Sequence, residues 1–277
     1  MIIMKKEFQA NLKRWNEMVG IHMKSRFYDL DGFKNGKNSL LPTEIREVGN
    51  VKGKDLLHLQ CHFGMDSISW ARMGASVTGV DFSDKAIIEA KKLSQELGIN
   101  NINFVQSNVY DVPDVIIKKY DIVYTSYGTI YWLDDLKKWA DAIEFCLKSG
   151  GSFYMIDQHP FMDLINENVK DKLEVGYPYF TEGKAFEWEE NGDYTDEDRD
   201  NPTIFENKLH YGWMHTISEI INSLIETGLR IEYIHEFPFS FHGLHPDLKK
   251  GEDGLWRFQT LKVSVPLTLS IKASKPE

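Results

Sequence analysis

The stretch Leu56-Leu57-His58-Leu59-Gln60-Cys61-His62-Phe63-Gly64 decides the fold of this 277-residue chain. Its first four residues form a short, mostly apolar run, and a glycine follows before a helical pattern that ends at Gly74. A second apolar run, Ser76-Val77-Thr78-Gly79-Val80, ends at the acid Asp81. Short apolar runs bounded by turns are typical of buried strands, so the sequence predicts a strand, a helix and a second strand in one βαβ unit.

Asp81 and the turn before the helix together indicate a ligand. A helix N-terminus offers unpaired N–H groups, and an acid at the end of the second strand accepts hydrogen bonds from ribose hydroxyls, so we expect a ligand that carries an adenosine. The dinucleotide fingerprint has three glycines in this turn, but Gln60 and His62 replace the first two and only Gly64 remains. Because a pyrophosphate needs those glycines, the turn favours a ligand without phosphates, such as S-adenosylmethionine.

Four segments resemble the motifs of the class I, Rossmann-like S-adenosylmethionine-dependent methyltransferases. They are residues 58–64, 80–83, 120–124 and 147–153. The LHLQCHFG form of the first motif is similar to that of a bacterial subgroup of the family. The resemblance implies an α/β fold with a seven-stranded, mostly parallel sheet in the order 3-2-1-4-5-7-6, an antiparallel last strand, and helices on both faces. It also implies S-adenosylmethionine as cofactor and in-line transfer of its methyl group to a small-molecule acceptor.

Beyond the βαβ unit, hydrophobic periodicity predicts further elements of this sheet. They are strands over residues 102–106, 120–125, 152–157, 229–237 and 265–273, and helices over residues 84–97, 133–147 and 217–225.

The resemblance also suggests which residues bind the cofactor. Asn108 and the backbone of Val109 follow the third strand, where the family binds adenine, and an Asn side chain both donates and accepts as an adenine edge requires. A turn-forming role for Asn108 and a packing role for Tyr28 are the alternatives. The complete set of expected cofactor residues is Tyr28, Gln60, His62, Gly64, Asp81, Phe82, Asn108, Val109 and Thr125.

Methyl transfer requires a base only if the acceptor must lose a proton early. His159, which follows the fifth strand, and His215, which precedes a helix, are the candidate catalytic bases, with structural hydrogen bonding or capping as the alternative. The histidines form no HExxH pattern and the chain has no CxxC pair, so no metal site is expected.

The chain divides by pattern into four parts. Residues 1–50 are expected to form an N-terminal helical cap, 51–160 the cofactor-binding core, 161–212 a lid over the substrate, and 213–277 the completion of the sheet.

Composition excludes several partners. The net charge of −10, from 32 basic and 42 acidic residues, disfavours nucleic acid. The two cysteines and the lack of an apolar run of about 20 residues favour a cytoplasmic protein without a membrane span.

Two other functions stay open at this level. A nicotinamide-dependent oxidoreductase would use the same core, although Gln60 and His62 oppose it, and a non-catalytic S-adenosylmethionine-binding protein would keep the fold without the chemistry. The sequence leaves the acceptor and the oligomeric state open.

Overall fold

The computed structural model describes residues 4–196, 201–259 and 264–277. The helices in these ranges are α1 (Lys6–His22), α2 (Leu30–Lys34), α3 (Pro42–Val48), α4 (Met65–Arg72), α5 (Asp84–Glu96), α6 (Val112–Val115), α7 (Leu136–Cys146) and α8 (Ile217–Glu226). The strands are β1 (Asp55–Leu59), β2 (Ser76–Asp81), β3 (Ile102–Gln106), β4 (Tyr120–Ser126), β5 (Leu147–Gln158), β6 (Phe186–Glu189), β7 (Leu209–Gly212), β8 (Arg230–Phe237), β9 (Leu248–Lys250), β10 (Trp256–Phe258) and β11 (Thr268–Ser274). Within the described ranges, none of the helices has the length and apolar character needed to cross a bilayer.

Seven of the strands form one sheet in the order β3-β2-β1-β4-β5-β11-β8. The strands from β3 to β5 pair in parallel, whereas β11 pairs antiparallel with both β5 and β8. The last strand of the chain thus lies between the fifth and sixth strands of the sheet, and the predicted order with its antiparallel last strand is confirmed. The carboxyl ends of the parallel strands meet at one edge of the sheet, where ligands bind in open α/β folds.

Helices bury both faces of this sheet, which explains why β1 is an almost continuous apolar run. Leu57 packs on one face in a cluster with Trp139 of α7 and Leu224 of α8. Its neighbour Leu56 points to the opposite face and packs with Trp70 of α4, as the two-residue period of a strand requires. All five side chains are fully buried, and burial of each stabilises the fold by about 1.5–3 kcal/mol.

The helix before β5 is shorter than its periodicity predicts. It was expected from about Leu133 but begins at Leu136. The side chain of Asp135 accepts a hydrogen bond of 3.0 Å from the backbone N–H of Lys138, and this N-cap sets the start of the helix.

Helix α1 packs against the hairpin of β6 and β7, which lies within residues 161–212. The Nδ2 atom of Asn11 donates to the carbonyl of Tyr211 at 2.9 Å, and the Oδ1 atom accepts from the Tyr211 N–H at 2.8 Å. The guanidinium of Arg14 donates to the carbonyls of Glu190, Gly192 and Lys208. These bonds join the N-terminal helix to the insertion after β5.

Candidate functional site

The turn between β1 and α4 adopts left-handed backbone conformations at three positions. Gln60, His62 and Gly64 have φ angles of 56°, 50° and 82°. For residues with a Cβ atom such a conformation costs about 1–3 kcal/mol, and it is often found at functional sites. Gly64 meets a further constraint, because a Cβ atom there would lie 2.7 Å from the ring of Phe104. Gln60 and His62 therefore place side chains at the two turn positions where the dinucleotide fingerprint has glycine.

Asp81 ends β2 and binds this turn directly. Its Oδ2 atom accepts a hydrogen bond of 2.8 Å from the backbone N–H of His62, and Oδ1 accepts one of 2.9 Å from the N–H of Ser83. Burial raises the pKa of the Asp81 carboxyl to about 6, despite the opposing effect of these N–H donors. Each carboxylate oxygen keeps a second lone pair, so Asp81 remains able to accept hydrogen bonds from ligand hydroxyls.

Two cavities meet at Asp81. The larger has a volume of about 720 Å³, which lies in the range of small-molecule sites. The smaller lies beside the ends of β2 and β3. Four residues line both cavities: Gln60, Asp81, Phe82 and Trp132. This arrangement suits one elongated ligand that extends from the smaller cavity, past Asp81, into the larger one.

The structure brings eight of the nine expected cofactor residues to these cavities. Tyr28, His62 and Gly64 line the larger cavity, Asn108 and Val109 line the smaller one, and Gln60, Asp81 and Phe82 line both. Asn108 also caps a short helical turn, because its Oδ1 atom accepts from the Tyr110 N–H at 3.1 Å. The turn-forming role and the position at the cavity therefore occur together.

Thr125 lines neither cavity. Its side chain is fully buried, and its Oγ1 atom donates to the carbonyl of Leu59 at 3.4 Å and to Oγ1 of Thr129 at 3.3 Å. It supports the loop that follows β4, and its neighbour Ser126 lines the larger cavity instead.

Gln60 provides a test of whether S-adenosylmethionine fits. Its Nε2 atom donates to the carbonyl of Thr129 at 3.0 Å, but its Oε1 atom is buried and has no hydrogen-bond partner in the described part of the chain. An unsatisfied buried acceptor costs about 1–3 kcal/mol, so this position requires a donor. The ribose hydroxyls and the α-ammonium group of S-adenosylmethionine are such donors, and Asp81 is a second acceptor beside Gln60. The residues present fit the expected cofactor.

A buried chain of side chains connects the turn to the segment after β6. The Nε2 atom of His62 lies 2.8 Å from Nδ1 of His22, and Nε2 of His22 lies 3.0 Å from Oδ2 of Asp193. The hydroxyl of Tyr28 bonds that of Tyr194, which lies next to Asp193. Burial lowers the pKa of His62 well below its usual range, so its imidazole is neutral. Sequence patterns gave no signal for His22 and Asp193, because these partners are 171 positions apart.

The two candidate bases have different surroundings. Both ring nitrogens of His159 are engaged, since Nε2 lies 2.8 Å from Oε1 of Glu236 and Nδ1 accepts from the Phe161 N–H at 3.0 Å. His159 is also absent from the lining of either cavity.

His215, in contrast, lines the larger cavity. Its Nε2 atom donates to the carbonyl of Leu133 at 2.7 Å, which fixes the proton on Nε2 and leaves Nδ1 as the unprotonated nitrogen. Burial lowers the pKa of His215 below its usual value of 6.5. His215 is therefore a neutral imidazole whose orientation and tautomer are set by the backbone.

The loop after β4 is organised by Asp157 at the end of β5. The carboxylate of Asp157 accepts from the N–H groups of Gly128, Thr129 and Ile130. Thr129 in turn accepts the hydrogen bond from Gln60. Asp157 thus positions the loop that holds Gln60.

Asp66 and Asp163 also line the larger cavity and were not identified from the sequence. Burial raises the pKa of Asp163 to about 7, and it also raises the pKa of Asp66. Across the residues that the structure describes, no three His, Cys, Asp or Glu side chains are arranged to hold a metal ion.

Comparison with known proteins agrees with this arrangement. The profile of a family described as "Methyltransferase domain" matches residues 50–200. Over 150 residues the chain is 30% identical to the ubiquinone biosynthesis O-methyltransferase of Photorhabdus laumondii, and the match covers 53% of this chain and 59% of that relative. A protein of the same name from Erwinia tasmaniensis is 29% identical over 54% of this chain and 59% of its own length. The aligned region thus spans less than two thirds of these relatives.

Solved structures share the fold. An S-adenosylmethionine-dependent methyltransferase from Mesorhizobium loti superposes with a TM-score of 0.56 and 17% identity, covering 87% of this chain and 99% of that chain. A geranyl diphosphate C-methyltransferase from Streptomyces coelicolor superposes with a TM-score of 0.52 and 13% identity, covering 84% and 77%. Because the family profile matches more than half of the sequence, this chain belongs to the methyltransferase domain family.

Proposed function

We propose that the protein is an S-adenosylmethionine-dependent methyltransferase that acts on a small molecule. The observation that carries the proposal is the junction at Asp81 and Gln60, where two hydrogen-bond acceptors line both cavities. The relatives named as O-methyltransferases support an oxygen acceptor. The LHLQCHFG motif further supports membership of the bacterial subgroup that carries it.

The proposed cofactor site uses this chain's residues as follows. Asn108 and Val109 hold the adenine, Asp81 and Phe82 hold the ribose, and the turn at Gln60, His62 and Gly64 accommodates the methionine tail below Tyr28. When bound, S-adenosylmethionine supplies a methyl group already activated by a sulfonium. The protein therefore contributes mainly alignment and the exclusion of water.

His215 is the proposed general base. Its Nδ1 atom takes up the proton of the acceptor hydroxyl, while the Nε2–H group stays bonded to the carbonyl of Leu133 and stabilises the imidazolium that forms. His159 is left in a structural role, because both of its ring nitrogens already have partners.

The four parts of the chain have separate roles in this proposal. Residues 51–160 and 213–277 build the sheet and the cofactor site, whereas residues 1–50 and 161–212 cover the larger cavity. Trp15, Tyr28 and Tyr194, which line that cavity, come from the two covering parts. Coverage of this kind keeps water from competing with the acceptor.

Calorimetric titration with S-adenosylhomocysteine and with NAD tests the cofactor assignment. We expect S-adenosylhomocysteine to bind and NAD not to bind, because side chains at Gln60 and His62 obstruct a pyrophosphate. Binding of NAD alone would favour the oxidoreductase. Binding of S-adenosylhomocysteine, with no methyl transfer from labelled S-adenosylmethionine to any cell-extract fraction, would favour the non-catalytic protein.

A further inference from the structure

Four aromatic side chains form a continuous row along the larger cavity, which we term the aromatic arc: Tyr127, Phe241, His242 and Tyr194. The ring centroids of Tyr127 and Phe241 are 4.6 Å apart, those of Phe241 and His242 are 4.5 Å apart and nearly stacked, and those of His242 and Tyr194 are 5.6 Å apart. None of the four lines the smaller cavity. The arc therefore lies away from the expected adenine site.

Both tyrosine hydroxyls of the arc already have hydrogen-bond partners within the protein. The hydroxyl of Tyr127 donates to Oε1 of Glu44 at 2.5 Å, and the hydroxyl of Tyr194 bonds that of Tyr28. With these hydroxyls engaged, Tyr127, Phe241 and Tyr194 offer a ligand mainly apolar ring surface. Planar ring compounds are the ligands that such surfaces prefer, through stacked and edge-on contacts.

His242 differs from the other three members. It is 8% exposed, and its Nδ1 atom is buried without a hydrogen-bond partner in the described part of the chain. Burial lowers the pKa of His242 to about 3, against the opposing effect of the Asp193 carboxylate. A neutral imidazole can donate with one nitrogen and accept with the other. A buried ring nitrogen without a partner is unusual in a folded protein, and a ligand in the cavity that His242 lines is one source of the missing donor or acceptor.

We propose that His242 hydrogen-bonds the methyl acceptor, and that the acceptor is a planar ring compound with a second polar substituent besides the group that is methylated. This inference rests on the proposed function, since it places the acceptor in the same cavity as His215. The Asp193 carboxylate acts on His242 and disfavours a negative charge at the substituent that His242 bonds, so we take this substituent to be an uncharged hydroxyl or carbonyl group.

The test is calorimetric titration of the full chain saturated with S-adenosylhomocysteine. The probes are the isomeric dihydroxynaphthalenes, the naphthols with one hydroxyl, and the fully saturated diols. We expect the wild type to bind one dihydroxynaphthalene isomer about tenfold more tightly than the naphthols, as one extra hydrogen bond allows, and not to bind the saturated diols.

Substitutions of His242 identify the contact. His242→Phe keeps a ring in the arc but removes both nitrogens, so the tenfold preference for the second hydroxyl should disappear. His242→Gln, whose amide both donates and accepts, should retain most of that preference. A purely structural His242 would change the affinity for both aromatic probes equally.

Four outcomes would overturn the inference: no binding of either aromatic probe, equal binding of the saturated diol, an unchanged preference in His242→Phe, or competition between the dihydroxynaphthalene and S-adenosylhomocysteine. Failure of the protein to bind S-adenosylhomocysteine at all would instead refute the proposed function, and this inference with it.

Discussion

The carboxylate of Asp81 holds the backbone N–H of His62 at 2.8 Å, although the two residues are 19 positions apart. One acid therefore both shapes the turn after β1 and faces the two cavities that meet there. Ligand binding and the conformation of the turn depend on the same group. The first two predictions follow from this dependence.

Asp81→Asn should weaken binding of S-adenosylhomocysteine by more than tenfold. The amide keeps one acceptor oxygen but removes the charge, and hydrogen bonds to a charged group are worth about 1.5–3 kcal/mol. Isothermal calorimetry at neutral pH measures the effect. Asp114→Asn is the matched control, because Asp114 is exposed and lines neither cavity. Equal affinities for the wild type and Asp81→Asn would remove Asp81 from the site.

The affinity for S-adenosylhomocysteine should fall on acidification through pH 6. The pKa of Asp81 in the free protein is about 6, above its ordinary value of 3.8, so the carboxyl takes up a proton as the pH falls below 6. The ligand hydroxyls prefer the ionised form, so the loss approaches about tenfold for each pH unit below that point. The same titration with Asp81→Asn should be flat. A wild-type affinity that is constant from pH 7 to pH 5 would contradict the assignment.

His215→Gln should lower kcat by about 10²–10⁴-fold and leave the affinity for S-adenosylhomocysteine within twofold. The wild-type kcat should decline only below pH 6.5, because burial lowers the pKa of His215 and it stays unprotonated above that point. Transfer of labelled methyl groups to the extract fraction that the wild type methylates measures the activity at each pH. Calorimetry measures the affinity for S-adenosylhomocysteine. His159→Gln is the comparison, and it should keep most of the activity. If the decline of kcat below pH 6.5 disappeared in His159→Gln and not in His215→Gln, His159 would be the base instead of His215.

Gly64→Ala should destabilise the fold by about 2–4 kcal/mol, because the new Cβ atom meets the ring of Phe104 at 2.7 Å in a left-handed conformation. Gly98→Ala is a matched control, since Gly98 has a φ angle of 65° but open space around it. That control should lose only about 1–2 kcal/mol. Urea unfolding measures both values, and equal losses would show that crowding at Phe104 has no effect.

Asp193→Asn should loosen the insertion without unfolding the sheet. The hydrogen bonds from His22 and Thr195 hold the pKa of the Asp193 carboxyl below its usual value although burial acts in the opposite direction, so the ionised form is the one that binds His22. Limited proteolysis within residues 161–212 should become several-fold faster. Glu182→Gln, an exposed change in the same segment, should leave the rate unchanged. An unaltered cleavage rate in Asp193→Asn would mean that this contact does not fasten the segment.

The sheet was predictable because its signals are local. The run from Leu56 to Leu59, the acid at Asp81 and the break at Gly64 each occupy a few consecutive residues, and together they define the βαβ unit. The start of α7 was less predictable. Leu133 fits the apolar periodicity of the helix, but the N-cap at Asp135 makes the helix begin at Leu136.

The candidate site was predictable only where it adjoins a strand end. Gln60 follows β1, Asp81 is the last residue of β2 and Asn108 lies two residues after β3, and all three line the cavities. Partners joined across the fold have no such signal, and His22 and Asp193 are the clearest example. Thr125 lies near the end of β4 but lines neither cavity, because a strand end fixes the position of a residue and not the direction in which its side chain points.

The pairing of Asn11 with Tyr211 has a consequence for how the protein is made. These residues are 200 positions apart, so this contact of helix α1 cannot form until β7 has been synthesised. Nearer partners are available to α1 before then, because Asn16 bonds Ser83 and Asp84 at the start of α5. The contact between α1 and the β6–β7 hairpin is therefore expected to be completed late in folding, because it closes a long stretch of chain.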